Sequence, residues 1–406
     1  MLKGALPLGF AAVYAALPLY PAFIVLTSVA YPGVSVVPKP FALAVLALVG
    51  ALVLYSSALL AVYRVRRSQP LLLPMLVGFA AALLAALAGF DPLRGLLFVG
   101  IFGTSLLWHC SLLRFYREPN VAEAIFWAYL STGTLAAAAA IAMVVTRTPA
   151  SLYALQHGRA TGTFVLPGEL AAYLIVMLPV AYAATREAHQ SALRALGWIA
   201  MAIGLAALVL TFSRAGWIGA AAAAAFFVAV RSRGSRHGHL VALLSIAAGA
   251  VAVLLLFNSH HDPSEDYTRL SIWQAALQII DRFPLTGVGP FDFPSLYALV
   301  HVPDADATAF HAHSIYLTFF AEGGILMLAA FAWLAWRFVV ELRARMSHQP
   351  ASPVLALAVT AGLAGIAVQG LVDTMSIAIF GLWLPAMGLA LAAAGPKQPP
   401  ADERQA

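Results

Sequence analysis

The sequence predicts an all-α polytopic membrane protein with about twelve transmembrane helices and one helical loop domain outside the bilayer. Three observations predict it. Of the 406 residues, 62% are hydrophobic and only 10% are charged, whereas a soluble domain carries roughly 25% charged residues. The apolar residues fall in blocks of about 18 to 27 with few or no charges, and ~20 such residues span the hydrocarbon as a helix. Polar residues do not recur at helical period as on a soluble amphipathic helix, and the alternation of a transmembrane strand is absent.

The blocks lie at about 4–30, 39–63, 71–89, 93–113, 121–146, 166–185, 193–212, 215–231, 238–258, 312–338, 352–372 and 375–394. The first is longer than a signal-peptide core and lacks a clear cleavage site, so it reads as a span. Pro7, Pro18 and Pro21 are expected to kink it, because proline removes a backbone donor. The chain divides into nine spans over 1–257, an outer loop domain over 258–311, three spans over 312–394 and a proline-rich, disordered tail over 395–406.

Lys and Arg set the orientation. With both termini cytoplasmic, sixteen of the twenty-three basic residues fall inside. Seven remain outside: Lys39, Arg94, Arg147, Arg159, Arg214, Arg269 and Arg282. That is a strong positive-inside bias. It explains the net charge of +6 as topology and leaves no basic patch for nucleic acid. The single cysteine, Cys110, lies in a span and excludes a disulfide or a cysteine-based metal site.

Two outer segments exceed a turn, 147–165 and 258–310. In the second, Leu270, Trp273, Leu277, Ile280 and Phe283 recur at helical spacing, which predicts an amphipathic helix lying on the membrane or capping a cavity. Pro284 and the run Gly287-Val288-Gly289-Pro290 end it. That run lacks a preceding strand and reads as turns, not as a nucleotide site.

The polar residues at the outer boundary carry the candidate chemistry. Arg214 sits in Thr211-Phe212-Ser213-Arg214-Ala215-Gly216-Trp217, a connection so short that the guanidinium lies at the interface. An arginine opening a helix opposes the helix dipole, a conflict that an arriving phosphate would relieve; spacing alone allows snorkelling to headgroups equally well. Arg269 opens the amphipathic helix and Arg159 lies in a flexible outer loop; each alone reads as a solvated residue. His311 and His313 flank the entry to the tenth span. An H-x-H pair suggests a metal, but residues two apart on a helix diverge and no third ligand stands near. A histidine at a water–membrane boundary suits general-base work, since its pKa lies near neutrality. Glu322, nine residues on, is roughly 13.5 Å deeper on a helix and near the opposite face. It is an intramembrane carboxylate with a structural or site-supporting role, and Gly323 and Gly324 beside it predict close helix packing. Asp373, in the short turn between the last two spans, is placed to meet an outer arginine.

Taken together, these stretches resemble the O-antigen ligase and O-antigen polymerase superfamily of bacterial envelope enzymes. The matching segments are Arg159 to Phe164 with Pro167-Gly168-Glu169, Thr211 to Trp217, Arg269 to Leu277 with Pro284 to Phe293, and His313 to Gly324. The last contains His313-Ser314, Tyr316-Leu317 and Glu322-Gly323-Gly324, like the family's His–Asn/Ser, aromatic–leucine and Glu-x-Gly elements. Gly168 stands where the family often has Asn, and Met327 where it often has a small residue.

The resemblance implies a membrane-embedded, C-type glycosyltransferase in the bacterial inner membrane, with its active site on the periplasmic side and no metal or other cofactor. Its donor would be a glycan on undecaprenyl pyrophosphate, with no nucleotide involved. Its acceptor in a ligase would be a sugar of the lipid A-core. The carry-over makes His313 the base, Arg214 and Arg269 the pyrophosphate binders, Arg159 a weaker third, and Ser314 and Tyr316 further substrate contacts. A polymerase would use the same donor with a second lipid-linked glycan as acceptor; the short 147–165 loop favours a ligase. A flippase or transporter, the alternative of another class, would carry its polar residues near mid-membrane.

Overall fold

The computed structural model describes residues 69–116, 121–164, 166–232, 240, 263–301, 309, 311–347, 350, 352–373 and 377–395. Among these the chain is helical, with no strand. The helices are α1 (Leu72–Ala88), α2 (Pro92–Phe115), α3 (Val121–Thr146), α4 (Ala150–Leu155), α5 (Pro167–Glu187), α6 (Ser191–Leu210), α7 (Arg214–Arg231), α8 (Pro263–Arg282), α9 (Phe293–Val300), α10 (Ile315–Met346), α11 (Pro353–Gln369) and α12 (Ile377–Ala393). Six of them, α2, α3, α5, α6, α7 and α10, are long and apolar enough to cross a membrane; α1, α11 and the Leu384–Ala393 part of α12 are shorter apolar helices. Among the described residues the chain is thus all-α, and its six long apolar helices fit a multi-pass membrane protein. The expected spans at 4–30, 39–63 and 238–258 and the tail from 396 lie outside the described residues.

Helix α5 is the hub, buried along most of its length and packed against α6, α7 and α11. Lipid tails are as apolar as leucine, so helix association in a membrane rests on close van der Waals packing of small residues. The sequence supplies them. Gly216 of α7 approaches α5 so closely that a Cβ there would lie 2.4 Å from the Ala171 methyl, and the Gly219–Gly365 contact seats α7 on α11, each glycine's Cβ meeting the other's carbonyl.

The turns sort to two ends. At one end Phe90 N–H donates to the Val288 carbonyl at 3.0 Å, Ala160 N–H to Leu210 at 2.9 Å and Ile315 N–H to Gly370 at 2.8 Å. This end, which the charge count assigns to the outside, is labelled outer and the opposite one inner. At the other, Glu187 accepts from Val354 and Leu355 N–H at 2.8 and 3.1 Å, and Ser352 N–H donates to Ala393 at 3.0 Å. Helix α10 continues past the expected end at 338 to Met346. The extension is held by Arg345, which pairs with Glu341 at 2.7 Å and donates to the Leu391 carbonyl at 3.1 Å.

Helix α10 is broken at Gly324, whose φ of 63° and ψ of −170° are non-helical. Only glycine adopts such a conformation without strain, and a Cβ there would lie 2.1 Å from the Leu285 carbonyl oxygen. The segment after α8 lies against the break and takes over its backbone hydrogen bonds. Ile325 N–H donates to Pro284 at 2.9 Å and Leu326 N–H to Leu285 at 3.3 Å; in return Val288 N–H donates to Ala321 at 3.0 Å and Gly289 N–H to Glu322 at 2.9 Å. The Glu322 carboxylate accepts from Phe291 and Phe293 N–H, tying down the same segment. Gly324 thus serves close packing of a loop against a broken helix, not of helix on helix as the sequence suggested, while the space at Gly323 is taken by the Met327 side chain of the same helix.

The buried face of α8 also differs from the expected stripe. Ile272, Ala275, Ala276, Ile279 and Ile280 are buried, while Leu270 and Leu277 are 56% and 58% exposed and Trp273 is half-buried. Choosing the largest side chains misplaced the stripe, because the two alanines allow α8 to approach the Val288–Tyr297 segment.

Candidate active site

The outer ends of α5, α7, α10 and α11 meet at one place. Gln369 at the end of α11 donates from Nε2 to the Gly168 carbonyl at 3.0 Å. Gly168 opens α5 against the Asp373 carboxylate, where a Cβ would stand 2.4 Å from Oδ2. The lack of a side chain here therefore makes room for Asp373. The Asp373 carboxylate in turn lies 4.0 Å from His313 Nδ1. The histidine is a neighbour of Asp373 that the sequence did not predict.

His313 sits two residues before α10, not in it, with φ 46°. That changes the reading of the H-x-H pair. Divergence of side chains two apart holds on a helix, but a left-handed residue folds the chain back. The two rings meet edge to face with centroids 4.5 Å apart, and His313 N–H donates to His311 Nδ1 at 3.3 Å. Burial pushes the His313 imidazole down to about 3, with the positive charges on a protonated His311 and on Arg269 acting in the same direction. Burial likewise holds His311 at about 4. Arg269, near the start of α8, is thus within electrostatic reach of His313. Among the described residues no group of three or more His, Cys, Asp or Glu side chains is gathered to hold a metal ion; His260 and His261 lie outside those residues.

Arg214 is the first residue of α7, half-buried, with Ser213 as N-cap accepting from Gly216 N–H at 3.1 Å. Phe212 before it has φ 47°. Arg159 holds this turn in place. Its Nε donates to the Thr211 carbonyl at 3.0 Å and its Nη2 to Phe212 at 3.4 Å. A cation is favourable at these C-terminal carbonyls of α6. Arg159 thus holds the turn that leads into Arg214.

Ser314 and Tyr316 also have partners within the protein. Ser314 is buried and its hydroxyl donates to Gly370 at 3.3 Å; the Tyr316 hydroxyl donates to Ala367 at 2.8 Å. Both tether the start of α10 to the end of α11. Tyr316 leaves its ring 40% exposed beside that tether. Glu322 is 5% exposed and engaged with the 291–293 backbone, so it supports the outer loop away from His313.

The sequence reading missed the His313–Asp373 proximity and the turn-holding role of Arg159. The first depends on a contact sixty residues apart. The second likewise joins distant segments, since the Thr211 carbonyl lies 52 residues on from Arg159.

No curated protein matches the chain. The family model described as O-antigen ligase matches residues 199–332, about a third of the chain, from within α6 past the break in α10. Arg214, Arg269, His313 and Glu322 all fall inside that match, and it supports placing the chain in the O-antigen ligase and polymerase superfamily.

Proposed function

We propose that this protein is an O-antigen ligase that transfers a glycan from undecaprenyl pyrophosphate to a sugar of the lipid A-core at the periplasmic face, without a metal. The observation that carries the reading is the placement of His313 beside Asp373 and within reach of Arg269, in a chain whose Arg214, Arg269 and His313 lie in an O-antigen ligase match.

The chemistry follows from these groups. Asp373 faces Nδ1 of His313, which leaves Nε2 as the nitrogen for substrate. The acceptor hydroxyl gives its proton to Nε2 as its oxygen bonds to the anomeric carbon. The bond from that carbon to the pyrophosphate breaks, and the electron pair leaves with the lipid pyrophosphate. Asp373 stabilises the imidazolium that forms; the 4.0 Å gap is of the kind that tightens when substrate binds. Arg214 and Arg269 present guanidinium forks to the phosphate oxygens, where charge grows in the transition state. A histidine at about 3 is a weak base in the empty site. An arriving pyrophosphate neutralises Arg269 and adds negative charge nearby, and both effects raise the imidazole's basicity.

The test is lipopolysaccharide from a strain lacking the gene, complemented with wild type or His313→Ala. The expected result is core without attached O-glycan in the deletion and in the variant. Core carrying a single unit would assign a polymerase instead, and unchanged lipopolysaccharide would remove both. The compartment is tested separately. A cysteine at Asp304 should react with an impermeant thiol reagent in cells with a permeabilised outer membrane. Labelling only after the inner membrane is lysed would invert the topology.

A further inference from the structure

We infer that His311 is a positioning residue that sets the turn aiming His313, acting as the acceptor of the His313 backbone N–H. This rests on the reading of His313 as the base. The observations are geometric. His311 Nδ1 accepts from the N–H two residues on at 3.3 Å. A side-chain acceptor bonded to the backbone two residues later is the arrangement of an Asx-turn, which normally uses Asn or Asp. The residue it holds, His313, is left-handed at φ 46°, a conformation uncommon outside glycine and needing local support. The rest of the turn is fixed in parallel. Ala312, fully buried, donates its N–H to Thr318 Oγ1 at 3.2 Å, and Ile315 N–H donates to Gly370 at 2.8 Å.

Two consequences follow for the imidazole of His311. An Nδ1 that accepts leaves the proton on Nε2, so a single tautomer is selected. Protonation would place a donor against a donor and release the turn; burial keeps this histidine neutral at ordinary pH, at about 4. The ring edge also meets the His313 ring, with centroids 4.5 Å apart. His311 therefore limits the directions that His313 can take, without itself being placed on the reacting atoms.

The separating experiment uses three substitutions of His311 in the full-length protein in detergent or nanodiscs, with a lipid-pyrophosphate glycan as donor. Asn puts an amide oxygen close to the Nδ1 position and keeps the acceptor. Phe keeps a ring of similar bulk and loses the acceptor. Ala loses both. A misplacement of about 1 Å costs on the order of 100-fold, so kcat should fall about 10- to 100-fold for Phe and Ala, with KM for the donor little changed, while Asn stays within about threefold of wild type. Equal thermal midpoints for Asn and Phe would show that folding does not separate them. Wild-type kcat in all three, with His313→Ala inactive, would overturn the positioning role and leave the base in place. Equal loss in Asn and Phe would also overturn it, because keeping the acceptor would then not preserve the aim of His313. An active His313→Ala would instead remove the base on which the inference rests.

Discussion

The two ends of the helix bundle are built differently. At the inner end the charged and amide side chains close helix termini and loops: Glu187 accepts from the first N–H groups of α11, Arg345 joins Glu341 to the end of α12, and Gln190 bridges Glu123 and Trp127 at 2.7 and 3.3 Å. At the outer end the backbone itself is irregular. Among the described residues, the five non-glycine positions with positive φ are Arg147, His157, Phe212, Phe291 and His313, and all belong to outer turns. So do Gly158, Gly162, Gly287 and Gly289, and Gly324 meets the outer loop that docks on it. Conformations of this kind cost about 1–3 kcal/mol each where a side chain is present, and they persist where surrounding structure over-determines them, often at functional sites. The inner end is a closure and the outer end is a set of aimed turns. Substitutions of similar structural cost should therefore separate the two ends by activity.

The largest separation is expected between His313 and Glu187. His313→Ala should lower glycan transfer by ~10²–10⁴-fold, the usual range for a general base. Glu187→Gln weakens a capping interaction and should cost about 1 kcal/mol of stability with turnover intact. Transfer assays at matched protein levels, in chelator, alongside thermal melts, decide it. Near-normal turnover by His313→Ala would dissolve the distinction. Abolition of wild-type activity by the chelator would point to a metal that the present reading does not use.

Next come the arginines. Lysine keeps the charge of Arg214 and Arg269 but loses the planar fork. Each Arg→Lys change should reduce kcat about 10²-fold, comparable to the loss of one donor aimed at developing charge. Two fully active lysine variants would show that a point charge suffices, and two fully active alanine variants would remove the phosphate clamp.

What was legible in the sequence tracks the same division. The six long apolar helices could be read because block length and lack of charge each follow from the bilayer. Arg214, Arg269 and His313 could be singled out because a charge or titratable group at an apolar boundary is conspicuous. Their arrangement could not. His313 was assigned helical neighbours, since nothing in Phe310-His311-Ala312-His313 announces a left-handed turn. The break at Gly324 is invisible without the carbonyl of Leu285 that lies against it. The stripe on α8 was misassigned because periodicity fixes that a face exists, while neighbours with matching shape decide which face is buried.

Gly324→Ala tests whether the outer loop needs that break. The methyl meets the Leu285 carbonyl and the backbone conformation disfavours a side chain. A loss of about 1–3 kcal/mol is expected, together with lower transfer, because α8 and its Arg269 would lose their seat on α10. Unchanged stability and activity would show that the loop docks without the break. An effect of similar size is expected at Arg159. Arg159→Gln removes charged donors from the Thr211 and Phe212 carbonyls, a loss of about 1.5–3 kcal/mol at most. If its role is to hold the Arg214 turn, donor KM should rise with the melt temperature falling in step. A loss of kcat without destabilisation would return Arg159 to the substrate.

The smallest expected effect is the pH dependence of kcat/KM, which reports the free enzyme. With His313 lowered to about 3 from its ordinary 6.5, the imidazole is already neutral throughout the physiological range. The profile should show no acid limb from this residue between about pH 5 and 8. The kcat profile, which reports the substrate complex, should show its limb at higher pH than kcat/KM, because bound pyrophosphate raises the imidazole's affinity for a proton. Stability carries the same sign. A folded histidine held below its unfolded value binds fewer protons than the unfolded chain. Its contribution is therefore complete above 6.5 and is lost as pH falls from there toward about 3. Arg269→Gln removes one of the charges that depress His313, so the acid limb of the residual kcat/KM should move up in that variant. An acid limb near 6.5 in the wild-type kcat/KM profile would mean that His313 faces water in the free enzyme. The outer end would then be assembled only when the donor arrives.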